Sequence, residues 1–320
     1  MQFGLSTLTR GVYSTRENYM GVAIAAERAG FDFLSVSDHV VVPANLKSHY
    51  PYAPTGVFSA AEHGFCLDQL ATMAFLAGCT ERLKLLASVM VVPHRPAMLT
   101  AKMLATIDLL SNGRLIFGAG AGWMKEEFAL LGAPFEERGK VTDEYLAAFV
   151  ELWTKEAPAY SGKHVSFSDV LFYPKPVQKP HPPIWIGGES GPALRRTIRF
   201  ADAWYPGNNS QTTPLDTPAR LAAGIAHLRR ACAAAGRDPA TMQVALLVQN
   251  FFEWEPHKIH DGSARRLFTG SSADMAGDVA ALAEVGVDHV ALRLGGDTLA
   301  QAVARIERFG DEVIAKTLGE

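Results

Sequence analysis

The chain has 320 residues, of which 48% are hydrophobic and 20% charged, with a formal net charge of −3. This composition supports a sizeable buried core, and with no basic excess to neutralise phosphates it argues against nucleic acid as the main partner. The three cysteines, Cys66, Cys79 and Cys232, form neither a disulfide framework nor a zinc pattern, so a reducing cytoplasm is the expected setting.

From the N-terminus, residues 2–5 read as a strand. The start, MQFGLSTLTRG, has no basic region followed by an apolar core, so no signal peptide is expected. Ser14 and Glu17 have capping-box spacing, Tyr19, Val22, Ala26 and Ala29 recur at helical spacing, and Gly30 sits where a helix ends. Residues 33–36 form the second strand. After a long loop, 67–77 reads as a helix stopped by Gly78. Residues 83–89 form the third strand, and Leu99, Met103, Thr106 and Leu110 mark the inner face of the next helix. Asn112-Gly113 is a turn, and the strand at 114–118 runs into alternating glycines, Gly118, Gly120 and Gly122, where a flat ligand can approach the backbone. Their spacing does not match the dinucleotide fingerprint, and a structural bend remains the alternative reading. Glu126 and Glu127 suit a first helical turn. Tyr145, Ala148, Phe149 and Leu152 mark the helix that follows.

The second half keeps the rhythm. Strands are expected at 184–186, 203–205, 244–248 and 290–294. A helix begins near Pro192, and another begins at Pro218 with Leu221, Ile225, Leu228 and Cys232 inward. Met275, Val279 and Leu282 mark a helix ended by Gly286, and Ala302, Ile306, Phe309 and Val313 mark the last. No apolar run reaches bilayer length.

Eight strand-then-helix units predict an α/β chain folded as one (β/α)8 TIM barrel over 1–320, with short, apolar, fully buried strands. An open doubly wound sheet with a second domain is the alternative, but no linker divides the chain. A barrel takes about 250 residues, which leaves roughly 70 for insertions, expected near 40–66, 157–182 and 250–270.

In such a barrel the site lies at the C-terminal strand ends. There the sequence places Ser6 and Thr7; Ser37, Asp38 and His39; Ser88, Val89 and Met90 ahead of His94 and Arg95; Ala121, Gly122 and Trp123; and Gly187, Gly188, Glu189, Ser190 and Gly191 ahead of Pro192. Pro192 as a first helical residue leaves N–H groups and a positive dipole end on the rim, which is an anion site with phosphate as the expected anion; a ligand-free tight turn is the other reading. The G-x-S-x-G elbow of hydrolases needs a glycine where Pro192 stands. His39 is either a proton-transfer group or a structural loop residue. His257 and His260, near Glu253, Glu255 and Asp261, read as a solvated loop, and no metal site is expected.

The stretches SDHV at 37–40, SVMVVPHRPAML at 88–99, LSNGRLIFGAGAGWMKEEF at 110–128 and PKPVQKPHPPIWIGG at 174–188 resemble bacterial luciferase-like oxidoreductases of the subgroup assigned to coenzyme F420. The resemblance covers most of 1–205. It implies a (β/α)8 barrel, commonly a homodimer, binding a flavin or deazaflavin at the strand C-terminal rim. By position it implies Asp38 and His39 facing the cofactor ring, with His39 the proton-transfer candidate. It further implies a non-prolyl cis peptide at Ser88–Val89 behind the ring, Ala121 and Gly122 along the cofactor, and Gly187, Gly188, Glu189, Ser190 and Gly191 at its phosphate. The chain has Pro43 and Trp123 where sugar-phosphate dehydrogenases of the wider family carry a tryptophan and a glutamate. That weighs against sugar-phosphate chemistry and makes Trp123 a candidate wall of the substrate pocket.

The function expected from this resemblance is hydride transfer between coenzyme F420 and a small organic substrate. The alternatives are an FMN monooxygenase using oxygen and a non-catalytic cofactor-binding barrel. The deazaflavin's longer anionic tail would favour basic residues on the outer rim. Arg195, Arg196, Lys258, Arg265 and Arg266 are the candidates, each also readable as solvated surface charge.

Overall fold

A computed structural model describes residues 1–53, 55–58, 64–249, 254–259 and 261–318. In chain order the elements are β1 (Gln2–Thr7), α1 (Arg16–Arg28), β2 (Phe33–Val36), α2 (Gln69–Cys79), β3 (Lys84–Ala87), β4 (Met90–Val91), α3 (Ala97–Leu110), β5 (Leu115–Gly120), α4 (Lys125–Leu130), α5 (Arg138–Thr154), β6 (Tyr160–Ser161), β7 (Ser166–Phe167), β8 (Ile184–Gly187), α6 (Gly191–Phe200), β9 (Ala203–Tyr205), α7 (Pro218–Ala234), β10 (Gln243–Val248), α8 (Ser272–Glu284), β11 (His289–Leu292), α9 (Leu299–Phe309) and α10 (Ala315–Leu318). The sheet order is β3-β2-β1-β11-β10-β9-β8-β5-β4, all parallel, and the β3–β5 pairing closes it. β3 and β4 both pair with β5 and share one position, so the barrel has eight. They are separated by Ser88–Val89, whose peptide is cis, in agreement with the resemblance. β6 and β7 form a small antiparallel hairpin inside the 157–182 insertion.

Two apolar layers hold the barrel. Outside, the helices bury one stripe each against the strands; Leu221, Ile225, Leu228 and Cys232 of α7 are all buried, as their spacing predicts. Inside, Phe33, Leu86, Ile116, Trp185, Tyr205 and Ala291 fill the lumen, large rings facing small residues. β5 approaches β3 so closely that a Cβ on Gly118 would lie 2.0 Å from the Ala87 carbonyl oxygen. The glycine of this strand end therefore serves strand packing.

His289 sits in the lumen, its ring 4.8 Å from that of Trp185 and its Nε2 3.2 Å from Gln243 Oε1. Burial pushes its imidazole down to about 4. The unfolded chain binds this proton at about pH 6.5 and the folded chain does not, so stability should fall as pH drops from there toward 4. The full effect is about 3 kcal/mol. Urea melts of wild type and His289→Gln across this range should converge toward the acid end; parallel curves would refute the assignment.

Three local expectations are corrected. Leu99 and Leu110 of α3 are 51% and 63% exposed, whereas Thr100, Ala101, Leu104, Ala105, Ile107 and Asp108 are buried. Small Ala101 lets α3 close on Trp153, whose Nε1 donates to its carbonyl at 3.1 Å, and Asp108 is tolerated inside because Gln178 Nε2 donates to it at 2.7 Å. Thr15, not Ser14, caps α1, accepting from Asn18 N. α2 continues through Gly78 to Cys79.

Candidate active site

A cavity of about 690 Å³ opens at the C-terminal strand ends. Of the rim residues anticipated from sequence, Asp38, His39, Ser88, Val89, Ala121, Gly122, Trp123, Gly187, Gly188 and Ser190 border it; Glu189 and Gly191 do not. Glu189 instead accepts from Gly207 N at 2.8 Å, and burial pushes its carboxyl up.

His39 follows β2 and is held by a residue that the sequence marks only as part of a helix start. Glu127, fully buried in α4, lies 2.8 Å from His39 Nδ1 through Oε2. Its Oε1 accepts from Val40 N at 2.7 Å and Val41 N at 3.1 Å. Burial raises the Glu127 carboxyl, and the His39 hydrogen bond, the His39 and His94 charges and the Val40 N–H outweigh it, leaving it below the usual carboxylate range. An ionised carboxylate only accepts, so Nδ1 carries the proton and donates. The His39 ring packs against Phe58, with centroids 4.7 Å apart, and approaches Trp123.

Asp38, expected to face a ring, has its carboxylate committed to the protein. Both oxygens accept from Arg95 at 2.9 Å, and Oδ2 also accepts from Val91 N at 2.9 Å. Arg95 reaches on to Asp68, the cap of α2, at 2.7 Å. The loop after β2, the β4 segment and α2 thus meet at one guanidinium. Beside it, Val89 projects between Gly120 and Gly187, where added Cβ atoms would come within 2.7 and 3.0 Å of its methyls. Val89 is therefore the floor of the cavity. Ser88 Oγ lies 3.0 Å from Tyr205 OH.

At the far end α6 begins with Ser190 as its cap, accepting from Ala193 N. Pro192 has no N–H, so Gly191 is the residual donor of this first turn. Two arginines stand behind it. Arg196 is buried, which corrects its reading as solvated surface charge; its Nε donates to Asp143 at 2.6 Å and its NH2 to the Gly139 carbonyl at 2.9 Å. Arg138 donates to the Gly122 carbonyl at 3.2 Å. Arg195 and Lys258 are exposed.

Residues of the 40–66 insertion cover the cavity. Tyr50 and Phe58 pack on Trp123 at 5.0 and 5.4 Å between centroids. Glu126 pins this cover from outside, accepting from Lys47 N at 2.9 Å, Ser48 N at 3.0 Å and Ser48 Oγ at 2.6 Å. The 250–270 segment, another expected insertion, does not add to this cover in its described part. That part instead turns to α8, where Arg265 pairs with Asp278 at 2.6 Å. His260 and Glu253 lie outside the described residues. Among the described residues no cluster of three His, Cys, Asp or Glu could hold a metal, and no helix is long and apolar enough to cross a membrane.

The family model of luciferase-like monooxygenases matches residues 1–253. An uncharacterized protein of Mycobacterium tuberculosis is 33% identical over 257 residues, covering 78% of this chain and 84% of its own. The FMNH2-dependent dimethylsulfone monooxygenase of Pseudomonas putida is 37% identical over 138 residues, 42% of this chain and 38% of its own. In fold, the chain is similar to the coenzyme F420-dependent tetrahydromethanopterin reductase of Methanopyrus kandleri, with a TM-score of 0.74 at 17% identity and 99% of both chains covered. It is likewise similar to an F420-dependent secondary alcohol dehydrogenase, with a TM-score of 0.75 at 17% identity and 98% of both covered. A (β/α)8 enzyme with these motifs at its rim, this chain belongs to the luciferase-like monooxygenase family.

Proposed function

We propose that the chain transfers a hydride between coenzyme F420 and a small organic substrate, acting in the cytoplasm as a homodimer of single barrel domains. The observation that carries this reading is the His39–Glu127 pair on the wall of a cavity whose opposite end is a helix start backed by Arg138 and Arg196. The residues fit the cofactor. The volume lies within the range of small-molecule sites, Val89 offers an apolar floor, and Gly187, Gly188 and Ser190, at the start of α6, provide a phosphate end. Bound there, the deazaflavin supplies hydride chemistry that no side chain offers.

The chain's own groups do the rest. Glu127 fixes the proton of His39 on Nδ1, so Nε2 is the atom that holds or passes a proton at the cavity. Asp38 acts through Arg95 and Val91 N, placing β4 and with it Ser88 and Val89. Ala121 and Gly122 would lie along the ring of a bound cofactor, Trp123 would form the substrate wall, and Tyr50 and Phe58 would exclude water. Exposed Leu99, Leu110, Tyr173 and Val177 lie on α3 and the segment packed against it, and supply an apolar face for the second subunit.

A second reading, an FMN monooxygenase, is favoured by the identity to the dimethylsulfone enzyme. Fluorescence titration of the apoprotein with each cofactor separates the two. Tight binding of F420 alone is expected. Tight binding of FMN alone would overturn the hydride reading and make the oxygen-using monooxygenase the working assignment.

A further inference from the structure

Arg293 follows β11 and borders the cavity, and its Nε is buried with no hydrogen-bond partner among the described residues. The titratable groups around it that could oppose its charge are the phenols of Tyr50, Tyr13 and Tyr205, which burial keeps neutral, and none is a carboxylate. Arg10, on the loop after β1, borders the same cavity close enough for the two guanidinium charges to repel, and its own guanidinium stands 5.0 Å over the Phe58 ring. β1 and β11 are adjacent strands, so both cations belong to one wall.

The nearby carboxylates are committed elsewhere: Asp38 to Arg95, Glu127 to His39 and Glu189 to Gly207 N. A buried cation without a counter-charge is costly, and a guanidinium fork matches the geometry of an oxyanion. The other cationic end, at α6, follows β8, which lies four positions around the eight-membered ring from β1, directly across the mouth.

We propose that the Arg293–Arg10 wall is the substrate end of the cavity, and that the substrate carries a carboxylate or sulfonate on an apolar body. This rests on the reading that a cofactor phosphate takes the α6 end. The apolar body meets Tyr50, Phe58 and Trp123, and the anion meets Arg293.

Benzoate and benzenesulfonate, with benzamide as the neutral isostere and inorganic phosphate as the control for the α6 end, are titrated into cofactor-loaded protein. Cofactor fluorescence and thermal melting are followed. Both aromatic anions should bind roughly tenfold tighter than benzamide. Arg293→Gln should lose that advantage and leave cofactor affinity unchanged, and Arg293→Lys should recover part of it. Because the substitution removes an uncompensated charge, Arg293→Gln should melt no lower than wild type. Equal binding of benzamide and benzoate by wild type overturns the proposal with no variant needed. So does anion binding that persists in Arg293→Gln, or anion and cofactor affinity lost together, which would place Arg293 in the cofactor site. Failure of the cofactor reading looks different: neither flavin nor deazaflavin binds wild type, and the same titrations on apoprotein then decide the anion wall by the same criteria.

Discussion

Replacement of His39 by alanine should lower kcat by about 10²- to 10⁴-fold, the range for loss of a positioned acid or base, while cofactor affinity stays unchanged. The split follows from geometry. His39 borders the cavity through one ring edge and is anchored to Glu127 by the other, on the side away from α6. Glu127→Gln should cause a smaller loss. Both Glu127 oxygens accept, from His39 Nδ1 on one side and from the Val40 and Val41 N–H groups on the other. An amide must turn its NH2 toward one of them, so the imidazole loses its fixed orientation. Single-turnover rates with saturating cofactor test both variants. A His39→Ala protein turning over within about threefold of wild type, far below the range for general acid–base loss, would remove His39 from the chemistry.

The largest effect on stability is expected at Arg95. Arg95→Met should destabilise the fold by about 3–5 kcal/mol, the usual result of leaving a buried carboxylate without its partner. The Asp38 side chain is fully buried and receives both of its charge-assisted bonds from this one guanidinium. Burial opposes the charge on Arg95, and Asp38 and Asp68 together outweigh that cost, raising its pKa. The double variant Arg95→Met, Asp38→Asn should recover much of the loss, because no unpaired charge remains. Urea denaturation of the three proteins checks this; a single-variant loss under about 1 kcal/mol, the range of a surface pair, would show that the pair is not what ties β2, β4 and α2 together.

The barrel was legible because its signals are local. Buried parallel strands read as short apolar runs, and the stripes of α7 and α9 repeat at helical spacing without interruption. α3 misled because it is apolar on both faces: the leucines outside compete with the smaller Ala101 and Ala105 inside. The rim residues were legible as strand ends, and His39 as one of them. Their partners were not. Glu127 meets His39 across 88 residues of chain, and Arg95 meets Asp38 across 57. Nothing in a linear reading of Glu126-Glu127 tells which carboxylate turns inward, because adjacent helical residues differ by only about 100° around the axis. Arg293 carried no signal in the sequence reading, since its meaning comes from what does not surround it.

The packed lumen beneath Val89 closes the barrel below the cavity, which opens at the strand C-terminal ends. Among the described residues no passage runs through the packed lumen, so a molecule seated on the Val89 floor leaves only past its companion. Whichever molecule seats deepest must arrive before its companion and depart after it. Steady-state kinetics should therefore show a compulsory order of addition, with the later ligand trapping the earlier one.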